Sequence, residues 1–133
     1  MLYDKKWDGK LFDLSKPSLT ALSYMLRSKE QWPTGFVWDY KWCDKCAMGL
    51  ARTLWEKDFT TDDDNIKKSE IFMMNTFGLE IETIEDIFEG EAPDWKEVGM
   101  NAITPEMVAD QIDKYISKGD IRQSHKRVPK KGT

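Results

Sequence analysis

Apolar residues recur at helical spacing along most of this chain of 133 residues. The clearest helix is predicted over 104–118, where Pro105 suits the first helical turn and Gly119 suits the end. Its apolar face consists of Val108, Ile112, Tyr115 and Ile116. We expect this face to pack against the helix that carries the two cysteines of the chain.

Two more helices are predicted in the first half of the chain. One spans 17–29, with leucines at helical spacing, and it ends before the turn residues that follow Trp32. The other begins at Cys43 or Asp44 and runs to about 56. Gly49 lies in its middle, where glycine costs about 1 kcal/mol relative to alanine. We therefore expect another segment of backbone to pack closely against Gly49.

The second half of the chain predicts two further helices and a weak strand. The acidic run at 62–65 is typical of a helix entry, and that helix should continue to Phe77 and stop at Gly78. A short helix then carries Ile84, Ile87 and Phe88 and ends at Gly90. Strand propensity is highest at 36–40, and 79–82 is a weaker candidate because its residues alternate.

These elements predict a mainly α fold, a compact single domain of about five helices with room for one short β-hairpin or strand pair. The domain should occupy 1–119, and 120–133 should form a basic, flexible tail. Large apolar side chains are frequent enough for a folded core, since 40% of residues are hydrophobic and six are tryptophan. We expect most of the aromatic cluster in that core, namely Trp32, Phe36, Trp38, Tyr40 and Trp42.

Composition also bears on location and partners. No apolar run approaches the roughly 20 residues of a membrane-spanning helix, and the first residues lack the apolar core of a signal peptide. Two cysteines three positions apart do not make a secreted disulfide framework. We therefore expect a cytoplasmic protein that does not associate with membranes.

Charge is unevenly distributed around a net value of −4. Residues 80–97, the acidic belt, hold many acids and a single lysine, whereas the tail is basic. The overall acidity argues against nucleic-acid binding. We expect the belt to contact another protein, through Glu80, Glu82, Glu85, Asp86, Glu89 and Glu91. The alternative interpretation is a solvated face that only keeps the protein soluble.

No cofactor or metal site is expected. The chain lacks phosphate-binding glycine motifs, and the acids at 62–64 do not fit the spacing of an EF-hand loop. A zinc site would need four ligands, whereas the only soft donors are Cys43, Cys46 and the distant His125. Catalytic residues are likewise not identified.

The segment Trp42-Cys43-Asp44-Lys45-Cys46 is the strongest chemical signal, because amides at a helix N-terminus stabilise a thiolate. Over about 36–54 it resembles the active-site motif of thioredoxins, in which a strand, a tryptophan, Cys-x-x-Cys and a helix follow one another. The resemblance implies a redox pair of Cys43 and Cys46. The competing interpretation is that both thiols are packed in a buried helical face.

A second resemblance is to small uncharacterised proteins of bacteria and their phages. It is carried by the segments 32–40 and 46–51 and by Thr104-Pro105-Glu106-Met107-Val108-Ala109. It implies no activity for any residue. The sequence therefore predicts a small cytoplasmic binding or regulatory accessory protein that acts through protein contacts. The alternatives are a thiol-disulfide oxidoreductase using Cys43 and Cys46 and an acidic mimic of nucleic acid.

Overall fold

A computed structural model of the protein describes residues 4–7, 10–60, 65–91, 95 and 97–118. Within these ranges the chain is mainly α-helical, as predicted, with five α-helices and one two-stranded sheet. The predicted domain boundary at 119 and the basic tail lie outside the described residues. None of the helices that can be described combines the length and the apolar character needed to cross a bilayer.

The sheet is an antiparallel hairpin of β1 (Asp4–Trp7) and β2 (Lys10–Asp13), in which Trp7 pairs with Lys10. The helices are α1 (Leu19–Leu26), α2 (Ala47–Trp55), α3 (Ile66–Phe77), α4 (Ile81–Phe88) and α5 (Pro105–Lys118). Short 3-10 helices lie at Lys29–Gln31 and Met100–Ala102.

The helix ends follow the local chemistry of the sequence. The Ser18 side chain accepts a hydrogen bond from the Ala21 amide at the start of α1, and Asn65 caps α3 in the same way. Gly78 ends α3 in the left-handed conformation, as its position predicted. The predicted extents of these helices are therefore confirmed to within a few residues.

Both predicted strands are wrong. Residues 36–39 form neither helix nor strand, because the backbone there folds into a turn in which the Asp39 amide donates to the Lys45 carbonyl oxygen. Residues 79–82 lead into α4, since the Ile84 amide donates to the Glu80 carbonyl oxygen and starts the helix. Apolar burial at helical spacing outweighs the short alternation there.

One hydrophobic core joins all five helices. Its fully buried members include Leu22 and Leu26 of α1, Leu50 of α2, Met73 of α3, Ile84 of α4 and Ile112 of α5. The aromatic cluster belongs largely to it, as predicted, because Phe36 and Tyr40 are buried and Trp32 and Trp38 pack against it. Trp42 differs from the others, with 47% of its surface exposed.

The expected partner of α5 is wrong. Val108 and Ile112 are buried as predicted, but α5 packs mainly on α1 and secondarily on α4, instead of on α2. Polar contacts accompany this pairing, since the guanidinium of Arg27, the residue that caps the end of α1, contacts the carboxylates of Asp110 and Asp113. The Ser23 hydroxyl also donates to Asp113, over 2.6 Å.

Candidate functional site

The segment before α2 is a compact turn. Besides the bond from Asp39 to Lys45, two backbone hydrogen bonds close it, from the Trp42 amide to the Asp39 carbonyl oxygen and from the Lys45 amide to the Trp42 carbonyl oxygen. The expected close approach at Gly49 is confirmed, because a Cβ atom there would lie 2.3 Å from the carbonyl carbon of Asp44. The turn is therefore held against the first turn of α2, and only glycine fits at that point.

The two cysteines lie in this turn and form no disulfide. Cys46 directly precedes α2, and Cys43 lies three residues earlier. Cys43 is half-buried, whereas Cys46 is 1% exposed and its Sγ donates to the Cys43 carbonyl oxygen over 3.9 Å. Burial raises the pKa of Cys46 to about 11, even though amides at the start of α2 favour its thiolate. This environment gives Cys46 the character of a small apolar residue, which favours the packing interpretation for that residue.

A cavity of about 170 Å³ opens beside the turn. Its inner wall is apolar, with Met48 and Phe88 each 1% exposed, and Ile66 and Met100 stand at its edge with 43% and 40% of their surfaces exposed. The full lining is Tyr40, Lys41, Cys43, Cys46, Met48, Ile66, Phe88, Glu89 and Met100. The cavity thus joins the turn to α2, α3, the end of α4 and the 3-10 helix at Met100–Ala102.

Tyr40 fixes the end of α4 at the cavity. Its hydroxyl donates to the Ile87 carbonyl oxygen over 3.1 Å and accepts from the Gly90 amide over 2.7 Å. Burial raises the pKa of this phenol, so it stays protonated and keeps both hydrogen bonds. Because these bonds lie on either side of Glu89, they hold the backbone of that residue beside the cavity.

Glu89 is the most perturbed acid of the site. Burial raises its pKa to about 8, and a hydrogen bond with the Glu70 carboxyl group and the charges of Glu70, Glu85 and Glu91 act in the same direction. In the described part of the chain no lysine or arginine forms an ion pair with Glu70 or Glu89. At neutral pH the Glu70–Glu89 pair therefore retains a proton.

The acidic belt is not a uniformly exposed surface. Glu80 and Glu91 are exposed, Glu82 and Glu85 are half-exposed, and Asp86 is only 9% exposed. The apolar residues expected beside the acids, Ile84, Ile87 and Phe88, belong to the core. Of the six acids proposed from the sequence, Glu89 is the one that lines the cavity.

Several residues of this site were missed in the sequence analysis. Glu70 was not singled out, and Lys41, Ile66 and Met100 carried no motif. Glu70 and Glu89 lie on different elements, nineteen positions apart in sequence. No spacing rule brings such a pair together, since their proximity depends on how α3 packs against α4.

A second cavity, of about 320 Å³, lies beside α5 and is lined by Trp95, Val98, Met107, Asp110, Gln111 and Lys114. Its polar groups are engaged, because Asp110 pairs with Arg27 and both Gln111 and Lys114 have interactions of their own. It therefore lacks the unmatched acid found at the Glu89 cavity.

Within the described ranges the chain holds no group of three histidine, cysteine or acidic side chains that could ligate a metal ion. No protein-family model, curated protein or solved structure matches this chain.

Proposed function

We propose that this protein is a small cytoplasmic binding or regulatory protein, an accessory protein of a bacterium or phage, that docks another protein at the Glu89 cavity. The observation that carries the proposal is the exposed apolar edge of a preformed cavity. Ile66 and Met100 expose large apolar side chains at its mouth, and Trp42 is exposed between two lining residues, Lys41 and Cys43. Exposed apolar residues with a half-exposed tryptophan are typical of protein interfaces.

The remaining features support the same proposal. The turn is held rigidly at Gly49, so the cavity needs little ordering before a partner enters. Glu91, Glu85 and Glu89 extend the face with acidic groups, which retains part of the predicted role of the acidic belt. The cytoplasmic location is supported by the cysteine content, because two cysteines three positions apart do not make a secreted disulfide framework.

A matched pair of substitutions on α3 tests the proposal. Ile66 lines the cavity and Ile71 does not, although both are exposed isoleucines of the same helix, separated by about 140° around its axis. We expect Ile66→Glu to reduce capture of the partner by roughly tenfold or more, whereas Ile71→Glu leaves capture unchanged.

The measurement is quantitative affinity purification from cells that express the wild type or either variant at equal levels. Circular dichroism confirms that both variants fold. Partner proteins that depend on Ile66 but not on Ile71 support docking at the cavity. If every captured protein is retained equally by the two variants, the proposed function is wrong.

A further inference from the structure

The Glu89 cavity has the size and the lining of a site for one side chain. Its volume of about 170 Å³ is close to the roughly 150 Å³ of an engineered cavity that holds a benzene molecule. Met48 and Phe88 offer an apolar wall, and Glu89 places a carboxyl group on the same cavity. A ligand with an apolar stem and a polar end matches these two surfaces.

The acid at the cavity lacks a donor when it is ionised. Oε2 of Glu89 is buried, and no N–H or O–H group of the described residues donates to it. Its neighbour is the carboxyl group of Glu70, which can satisfy it only by sharing a proton. A cation that enters the cavity would supply the missing donor and replace that proton.

The charged and titratable groups around Glu89 come from every element that packs there. Glu70 belongs to α3, Glu85 to α4, Glu91 follows α4, and the turn before α2 contributes Lys41 together with the Tyr40 hydroxyl and the two thiols. Lys41 is exposed and forms no ion pair within the described chain. The phenol is occupied by backbone groups of the α4 end. Among the described residues of the lining Lys41 is the one basic group, and the acids at and around Glu89 outnumber it.

We propose that the cavity binds one lysine side chain of the partner protein, with its four-carbon stem against Met48 and Phe88 and its ammonium group at the carboxyl group of Glu89, next to which Glu70 adds a second acid. This deepens the proposed function and rests on it for the identity of the ligand as part of a protein. The charge complementarity is specific, because the stem alone gains only apolar contact, whereas the ammonium group also gives an ion-pair partner to the half-buried Glu89, whose Oε2 atom accepts no hydrogen bond from the described residues.

Binding of the ammonium group should release the proton that the two acids share. Glu89 has a pKa of about 8, so its carboxyl group is mostly protonated at pH 6 and mostly ionised at pH 9. A lysine-like ammonium group keeps its charge over this range, since its pKa is about 10.4. Affinity for the ammonium should therefore rise by roughly tenfold or more between pH 6 and pH 9, as the ionised site becomes populated.

The probe is n-butylammonium, which reproduces the lysine stem and charge, and 1-butanol serves as the uncharged probe with the same stem. Binding to the full chain is followed by NMR shift changes of the Met48 and Glu89 amides at pH 6 and pH 9. Glu89→Gln and, independently, Glu70→Gln remove the acids with little change in shape. Glu97→Gln is the matched control, because Glu97 is an exposed acid that does not line the cavity.

We expect n-butylammonium to bind more tightly than 1-butanol, more tightly at pH 9 than at pH 6, and at least tenfold more weakly to folded Glu89→Gln or Glu70→Gln. Glu97→Gln should bind like the wild type. Equal binding of the two probes, or unchanged binding to both Gln variants, would overturn the lysine proposal. If partner capture still depends on Ile66 in that case, docking at the cavity stands without the lysine. If capture does not depend on Ile66 while the probe results hold, the cavity binds an ammonium group without being the docking site.

Discussion

At the interface of α1 and α5, Asp110 and Asp113 share the guanidinium of Arg27, whereas at the α3–α4 corner Glu70 and Glu89 face each other. Both places contain a pair of acids between packed helices. In the first, the charge is matched within the protein by an ion pair between two packed helices. In the second, no lysine or arginine of the described residues forms an ion pair with either acid, and Glu89 lines an accessible cavity. The difference separates a stabilising contact from a site that can accept a ligand.

The cavity is preformed only if the turn before α2 is tightly packed against Gly49, and Gly49→Ala tests this packing. A Cβ atom at position 49 would lie 2.3 Å from the Asp44 carbonyl carbon, and backbone cannot move aside as a flexible side chain can. We expect a loss of about 3 kcal/mol in the free energy of unfolding, measured by urea denaturation. Gly99→Ala is the control, because no atom lies within 4 Å of its added Cβ. Similar, small effects of both substitutions would mean that the turn yields and the cavity is not preformed.

Arg27→Met removes the ion pairs with Asp110 and Asp113 while retaining much of the apolar stem of the arginine. We expect a loss of about 1 kcal/mol, since Arg27 is 26% exposed and Asp110 is 68% exposed, and exposure weakens ion pairs. Urea denaturation in low salt and in 1 M NaCl measures it, and salt should reduce the difference from the wild type. Lys57→Met removes an exposed cation without an ion pair within the described chain and should change stability little. A loss equal to that of Lys57→Met would show that the α1–α5 charges contribute nothing.

The Glu70–Glu89 pair should make the free energy of unfolding depend on pH. A raised carboxyl pKa in the folded state means that the native protein holds a proton between about pH 4.5 and pH 8 that the unfolded chain has released. Stability should therefore fall as the pH rises through this window. The fall attributable to Glu89 should be about 1 kcal/mol, reduced by the solvent around a half-exposed side chain. Urea denaturation at pH 5, 6.5 and 8 measures it, and Glu89→Gln should flatten the slope whereas Glu97→Gln should not. Equal slopes in the three proteins would exclude Glu89 as the cause.

Much of the fold could be predicted from the sequence, because its signals are local. Apolar periodicity located the helices, Gly78 marked the end of α3, and Gly49 predicted a close backbone approach. A short hairpin was allowed for, but its position was missed, although Asp8-Gly9, the dipeptide between its strands, is a strong hairpin signal. High strand propensity at 36–40 was misleading, since aromatic residues whose rings pack against one another around a turn share the composition of a strand.

The candidate site was less predictable, because it depends on contacts between distant segments. The sequence identified Glu89 within the acidic belt and placed Cys46 in a packed environment. It could not identify Glu70 as the neighbour of Glu89, since α3 and α4 must first pack together. It also grouped Asp86 with Glu91, although Asp86 is 9% exposed and Glu91 is an exposed residue. Burial by tertiary packing distinguishes acids that sequence alone treats as equivalent.

Glu89 is an acid that lines a cavity and forms no ion pair within the described chain, and titration of its carboxyl carbon by NMR measures the consequence directly. The side-chain Cδ resonance of Glu89, assigned by comparison with Glu89→Gln, is followed from pH 3 to pH 10 in the folded protein. We expect a midpoint at a pKa of about 8, and this pKa should fall when n-butylammonium is added, because the cation binds the ionised carboxylate. A midpoint near the ordinary glutamate value of about 4.3, unaffected by the amine, would contradict it.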